Sequence, residues 1–109
     1  MKIYTQKEWE KQMSLNKKEV DKSSFDSACG HFRQICHEIG ELIGNNDFKG
    51  GYDDMLVFYA SDAYKTDKGL QLATAWAGVN ELCRYEAYKL GMGSPAWWHK
   101  CWSTDNIIN

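Results

Sequence analysis

The chain has 109 residues, of which 43% are apolar and 14% aromatic, and its net charge is −2. This composition is enough for one folded domain, residues 1–109, with a hydrophobic core. The weak negative charge excludes a general nucleic-acid-binding surface, and no apolar stretch approaches the roughly 18 residues that a membrane span requires.

The N-terminal residues contain no apolar run of signal-peptide length, so we expect a cytoplasmic protein. Thr5 and Glu8 have the spacing of a capping box, in which each side chain bonds a backbone amide at the start of a helix. A helix is therefore predicted to begin there. Trp9 and Met13 are among its few apolar anchors, which indicates that this helix lies at the periphery.

Residues 25–43 have the clearest helical pattern in the chain. Apolar side chains recur there at alternating spacings of four and three, at Phe25, Cys29, Phe32, Cys36, Ile39 and Ile43. Ser23 and Ser24 are suitable N-caps, and Gly44 is a suitable C-terminal stop. The pattern predicts a long helix with one buried face.

Residues 55–60 are an uninterrupted apolar run, which is typical of a buried strand or of a fully buried helix. Asp53 and Asp54 in front of it resemble the cap and acidic first turn of a helix, and Tyr64 continues the helical spacing beyond it. We favour a helix. A strand here would change the fold class from all-α to α+β.

Thr66 is predicted to cap a second long helix that ends at Gly91. Its core stripe comprises Leu72, Trp76, Val79, Cys83 and Leu90. Ser94 as N-cap and Pro95 as first helical residue predict a short helix to residue 102, followed by a frayed tail at 103–109. The expected fold is therefore an all-α compact bundle of four to five helices.

Catalytic, cofactor and metal signatures are absent from the sequence, so we expect no cofactor and no enzymatic activity. The four cysteines are expected to be reduced core residues, because disulfides are rare in the cytosol. Cys29 and Cys36 do not have the close spacing of zinc ligands. Cys101 and His99 would diverge on a helix, which argues against a nucleophile and base pair.

Two features point to binding of a protein partner. In the last helix, Trp98 and Trp102 are predicted to face inward, which would turn Trp97 outward as a candidate interaction residue. Residues 38–67 carry a net charge of −5, which would attract a basic surface. The candidate partner-binding residues are Met92, Trp97, Trp98 and Trp102 at the tryptophan-rich end and Asp47, Asp53 and Asp54 in the acidic segment.

The C-terminal sequence YEAYKLGMGSPAWWHKCW, residues 85–102, resembles the ends of small phage and prophage proteins and is similar to the aromatic, glycine-broken C-terminus of some anti-CRISPR inhibitors. The resemblance covers 18 residues. It implies a stoichiometric protein without chemistry of its own that blocks a bacterial defence nuclease or nucleoprotein complex in the host cytosol. The net charge of −2 departs from the strongly acidic nucleic-acid mimics among such inhibitors.

These observations favour a small inhibitor that binds a nuclease or nucleoprotein complex through a basic surface of that partner. One alternative is a ligand-binding or enzymatic domain with a pocket between the two long helices, lined by Trp76, Tyr85 and the cysteines. Two further alternatives are a toxin-immunity protein and a homodimeric structural protein that uses its tryptophan-rich end as the subunit interface.

Overall fold

A computed structural model describes residues 22–103 of the chain. These residues form helices α1 (Lys22–Ile43), α2 (Tyr52–Ala60), a 3₁₀ helix (Asp62–Lys65), α3 (Asp67–Lys89) and α4 (Ser94–Cys101). They contain no strand, so the all-α prediction is confirmed and the ambiguous run at 55–60 is a helix. The helix predicted at Thr5 and residues 104–109 of the predicted tail lie outside the described part of the chain.

The hydrophobic core lies between the two long helices, α1 and α3, and is closed by α2 and α4. It contains most of both predicted stripes: Phe25, Cys29, Phe32, Cys36 and Ile39 from α1, and Leu72, Val79 and Cys83 from α3. Trp76 and Leu90 are only partly buried at its edge. Each fully buried large side chain contributes roughly 1.5–3 kcal/mol, which makes this helix pair the main source of stability.

Two predicted boundaries of α3 are confirmed. Thr66 Oγ1 accepts a hydrogen bond from the Gly69 amide at 3.0 Å, which satisfies one of the free donors at the helix start. At the other end Gly91 has a φ of 83°, and the Met92 amide donates to the Ala87 carbonyl at 2.9 Å. This left-handed glycine closes the helix in a Schellman motif.

The N-caps predicted for α1, α2 and α4 do not have the predicted positions. Helix α1 begins at Lys22, so Ser23 and Ser24 lie within its first turn. Helices α2 and α4 are preceded by Gly51 and Gly93, which have the extended backbone of a cap but provide no side-chain bond. The backbone of the glycine, rather than a side-chain oxygen, therefore sets the start of α2 and α4.

Candidate functional site

An open groove of about 650 Å³ lies between α2 and α4, with α3 as its floor. We call it the aromatic groove and define it by Tyr52, Leu56, Tyr59, Trp76, Pro95 and Trp98. Asn80, Ser94 and His99 add the few polar side chains of its lining. The lining contains no aspartate, glutamate, lysine, arginine or cysteine, so the groove is almost wholly apolar.

The first wall of the groove is the outer face of α2. Tyr52, Leu56 and Tyr59 follow one another at spacings of four and three, and 79%, 50% and 39% of their surfaces are exposed. Met55 and Phe58, on the adjoining face, are buried in the core, and Met55 also contributes to the lining of the groove. The expectation that the run at 55–60 is buried throughout is therefore wrong. Leu56, Val57 and Tyr59 are exposed, because apolar residues occupy more of the surface of this short helix than the core covers.

The position of Tyr59 is fixed by aromatic neighbours. Its ring stacks on Phe58 at 5.8 Å between centroids and meets the edge of Tyr64 at 4.9 Å. Burial, with a smaller contribution from Tyr64, raises the pKa of the Tyr59 hydroxyl above its ordinary value. Tyr59 therefore remains a neutral phenol at the edge of the groove at physiological pH.

The second wall depends on a carbonyl group in the loop before α2. The indole N–H groups of Trp98 and Trp102 each donate to the Lys49 carbonyl oxygen at 3.0 Å. The Lys49 amide donates to Asp54 Oδ2 at 2.8 Å, which ties this loop to the first turn of α2. The Trp98 ring is thus held in place on α4 before any ligand arrives.

Gly50 permits this arrangement. Its φ is 73°, and a Cβ at this position would lie 2.6 Å from Cys36 Sγ. Only glycine combines the left-handed backbone with so close an approach to α1. The loop consequently reaches the core surface and brings the Lys49 carbonyl to both indoles.

Helix α4 is also joined covalently to α1. Cys29 and Cys101 form a disulfide with a Cα–Cα distance of 5.0 Å, and the Cys101 carbonyl accepts a hydrogen bond from Arg33 Nη1 at 2.7 Å. The prediction that all four cysteines are reduced is therefore wrong for this pair. That prediction rests on the rarity of disulfides in the cytosol, whereas the fold brings the fully buried side chains of Cys29 and Cys101 together.

The other two cysteines, Cys36 and Cys83, are free and buried, as predicted. Burial raises the pKa of the Cys83 thiol to about 12. Burial also raises the pKa of Cys36, with smaller contributions from Asp54 and Cys83. Both side chains are therefore neutral thiols at physiological pH, and a neutral thiol is a weak nucleophile.

The orientation predicted for the tryptophans is reversed. Trp97 is only 3% exposed and meets the edge of Phe32 at 5.3 Å, while Trp98 and Trp102 are partly buried beside the loop. The reason is that Trp97 shares its helix face with Cys101, which is bonded to α1. Trp98 and Trp102 occupy the neighbouring face, where the Lys49 carbonyl accepts both N–H groups.

The remaining candidate residues are distributed over several places. Asp53 and Asp54 line a shallow hollow of about 340 Å³ that shares Tyr52 and Trp98 with the aromatic groove, and we call these two residues the acidic rim. Met92 lies with Trp97, Tyr85 and Tyr88 in a separate groove, which we call the α3 groove. Asp47 is exposed in the loop and lines neither.

The residues proposed for a ligand pocket between the long helices do not share a groove. Trp76 lines the aromatic groove, Tyr85 lines the α3 groove, and Cys36 lines a third hollow beside Trp102. Within residues 22–103, no group of three or more histidine, cysteine, aspartate or glutamate side chains is placed to hold a metal ion. None of the described helices has the length and apolar character needed to cross a membrane.

Comparison with protein-family models, with curated proteins and with solved structures finds no match to this chain. The aromatic groove and the acidic rim are therefore the observations on which a function is proposed.

Proposed function

We propose that this chain is a non-catalytic protein that binds a partner protein through the aromatic groove and thereby inhibits it. The observation that carries the proposal is the exposed apolar stripe of Tyr52, Leu56 and Tyr59 facing the fixed ring of Trp98. Contiguous exposed apolar surface is characteristic of interaction sites, and tyrosine and tryptophan are the residues most enriched at their energetic centres.

The composition of the groove supports binding rather than catalysis. Acid–base chemistry needs a titratable group and a second group that orients it. His99 contributes the imidazole of the lining, and its ring meets the edge of Trp98 at 5.1 Å between centroids. Burial of aromatic and aliphatic side chains on binding stabilises a complex through the hydrophobic effect, and the lining consists mainly of such side chains.

The openness of the first wall favours a macromolecule over a small ligand. The volume of about 650 Å³ is within the usual range for small-molecule sites. Such sites, however, usually enclose most of their ligand, whereas Tyr52 remains 79% exposed and Leu56 50% exposed. A partner surface that covers α2 would bury both side chains.

The inhibitory role and the class of partner rest on the charge distribution and on the resemblance. Residues 38–67 carry a net charge of −5, and this charge would accelerate association with the basic surface of a nucleic-acid-processing protein. The similarity of residues 85–102 to anti-CRISPR termini supports a bacterial defence nuclease or nucleoprotein complex as that protein.

The test compares Leu56→Asp with Leu82→Asp in the full chain. Leu82 is 45% exposed on α3 and lines neither groove, so it matches Leu56 in exposure and in the chemistry of the change. Each tagged variant is used to isolate proteins from bacterial lysate, and the nuclease or other activity of a captured protein is then assayed with purified components.

We expect wild type and Leu82→Asp to capture and inhibit the same protein, and Leu56→Asp to weaken inhibition roughly tenfold or more, because a carboxylate would be buried in the complex. Equal inhibition by Leu56→Asp and Leu82→Asp would contradict the proposal. Dimerisation of the purified chain that Leu56→Asp abolishes would also contradict it, since the groove would then bind a second copy.

A further inference from the structure

We infer that the aromatic groove takes an amphipathic α-helix of the partner, with a lysine or arginine at the end that faces the acidic rim. This inference rests on the proposed function and adds the shape and charge of the bound segment. It follows from three properties of the groove: its length, its mostly apolar lining and the position of Asp53 and Asp54.

The first property is the geometry of the walls. The groove runs between two helices, and its first wall presents anchors at Tyr52, Leu56 and Tyr59. Seven residues of α-helix extend about 10 Å, or two turns. A partner helix with apolar side chains at i, i+4 and i+7 has the same repeat and length, so its apolar face fits this stripe.

The second property distinguishes a helix from a bound β-strand. A bound strand pairs its backbone N–H and C=O groups with the edge of a sheet, and the described residues have no strand edge. The groove has few donors of its own: the Trp98 N–H is already used by the Lys49 carbonyl, and those that remain include the Trp76 N–H and the Asn80 side chain. A helix satisfies its own backbone and needs only apolar contacts, which this lining supplies.

The third property is charge. Asp53 is exposed next to Tyr52 and forms no ion pair with any residue the structure describes. Asp54 is partly buried and accepts the Lys49 amide. Lys49 lines the same hollow, but its ammonium lies over the Trp102 ring, at 6.0 Å from the centroid, and forms no ion pair with Asp53 or Asp54. Asp53 is therefore the group at this end of the groove that a cation of the partner would meet.

The test uses peptide display with the purified, disulfide-intact chain as bait. One library contains 14-residue peptides stapled as helices, and a second contains linear peptides in which proline is fixed at every third position. Selected peptides are labelled, and their dissociation constants are measured by fluorescence anisotropy against wild type, Leu56→Asp, Asp53→Lys and Asp62→Lys. Asp62 is exposed in the 3₁₀ helix and lines neither the groove nor its rim, so it is the matched control for Asp53.

We expect the helical library to yield binders with apolar residues at i, i+4 and i+7 and a basic residue at one end. Asp53→Lys should weaken these binders about fivefold at low salt, with a smaller effect in high salt, and Asp62→Lys should leave them unchanged. Enrichment of proline-rich peptides alone, or equal effects of Asp53→Lys and Asp62→Lys, would overturn the inference. Inhibition of the partner is assayed separately, with Leu56→Asp and Leu82→Asp. If that assay supports the proposed function but the helical library yields no binder, the bound segment is not a helix and the proposed function is retained.

Discussion

Helices α1 and α2 use their apolar residues differently. In α1, Phe25, Phe32 and Ile39 all lie on one face and are almost fully buried. In α2 the apolar residues are divided: Met55 and Phe58 are buried in the core, Leu56 and Tyr59 are exposed along the groove, and Val57 is 60% exposed outside it. Folding therefore buries every apolar residue named on α1 but only two of these five on α2. The exposed residues along the groove are the ones to which we assign a binding role.

The largest difference in stability between the two helices should appear when one side chain of each is truncated to alanine. Phe32 is fully buried against the rings of Trp97 and Trp102, so Phe32→Ala should lower the free energy of unfolding by about 3–5 kcal/mol. Leu56→Ala should lower it by less than about 0.5 kcal/mol, because half of that side chain is already in solvent. Urea denaturation followed by circular dichroism measures both. Equal losses would remove the distinction between a core face and a binding face.

Removal of the disulfide should have the next largest effect on stability. The bond joins residues 72 positions apart, and a cross-link over such a loop typically contributes about 2–4 kcal/mol through the entropy of the unfolded chain. The Cys29→Ser/Cys101→Ser variant should therefore melt at a lower temperature than wild type. A reductant should lower the melting temperature of wild type and leave that of the double variant unchanged. An unchanged melting temperature in the double variant would show that α4 is held without the bond.

Alkaline pH should destabilise the core through the two free thiols. Burial raises the folded-state pKa of Cys83 to about 12 from 9.0. The preference of the folded state for the neutral thiol therefore costs no stability below pH 9, and the free energy of unfolding decreases as pH rises from 9 towards 12. Each thiol should lower stability by up to about 1.4 kcal/mol per pH unit in this window. Urea titrations of wild type and Cys83→Ala between pH 8 and pH 11 provide the measurement. The variant should show the shallower decline, and parallel curves would contradict this assignment.

Apart from Leu56→Ala, the smallest effect on stability is expected at the second wall of the groove. Trp98→Phe keeps an aromatic ring but removes the N–H bond to the Lys49 carbonyl, which still accepts from Trp102. The expected loss is about 1 kcal/mol, a typical net value for one hydrogen bond. Amide exchange should reveal faster opening around residues 49–51 than in wild type. A variant that is as stable as wild type, with unchanged exchange, would mean that this bond does not order the wall.

The parts of the fold that were predictable are those with a repeating local pattern. The stripes of α1 and α3 follow from the helical period, and Thr66 and Gly91 follow from end chemistry that involves only neighbouring residues. In each case the information lies within a few residues of the feature it determines.

The parts that were missed depend on distant contacts. The disulfide links residues 72 apart, and the bonds from Trp98 and Trp102 to Lys49 span 49 and 53 residues. These contacts, and not the periodicity of α4, decide which indole is buried. The helical spacing of Tyr52, Leu56 and Tyr59 is present in the sequence. A run at 55–60 that is buried throughout leaves no exposed face on this helix, so the groove was not predicted.

The central claim is that a partner covers the exposed face of α2. Hydroxyl-radical footprinting of the chain, free and in complex with the protein it inhibits, tests this most directly. Tyr85 and Tyr88 on α3 are internal controls, since they are 60% and 80% exposed and lie outside the aromatic groove. We predict that complex formation protects Tyr52, Leu56 and Tyr59 and leaves Tyr85 and Tyr88 reactive. Protection of Tyr85 and Tyr88 with full reactivity of Tyr52 and Leu56 would contradict the account.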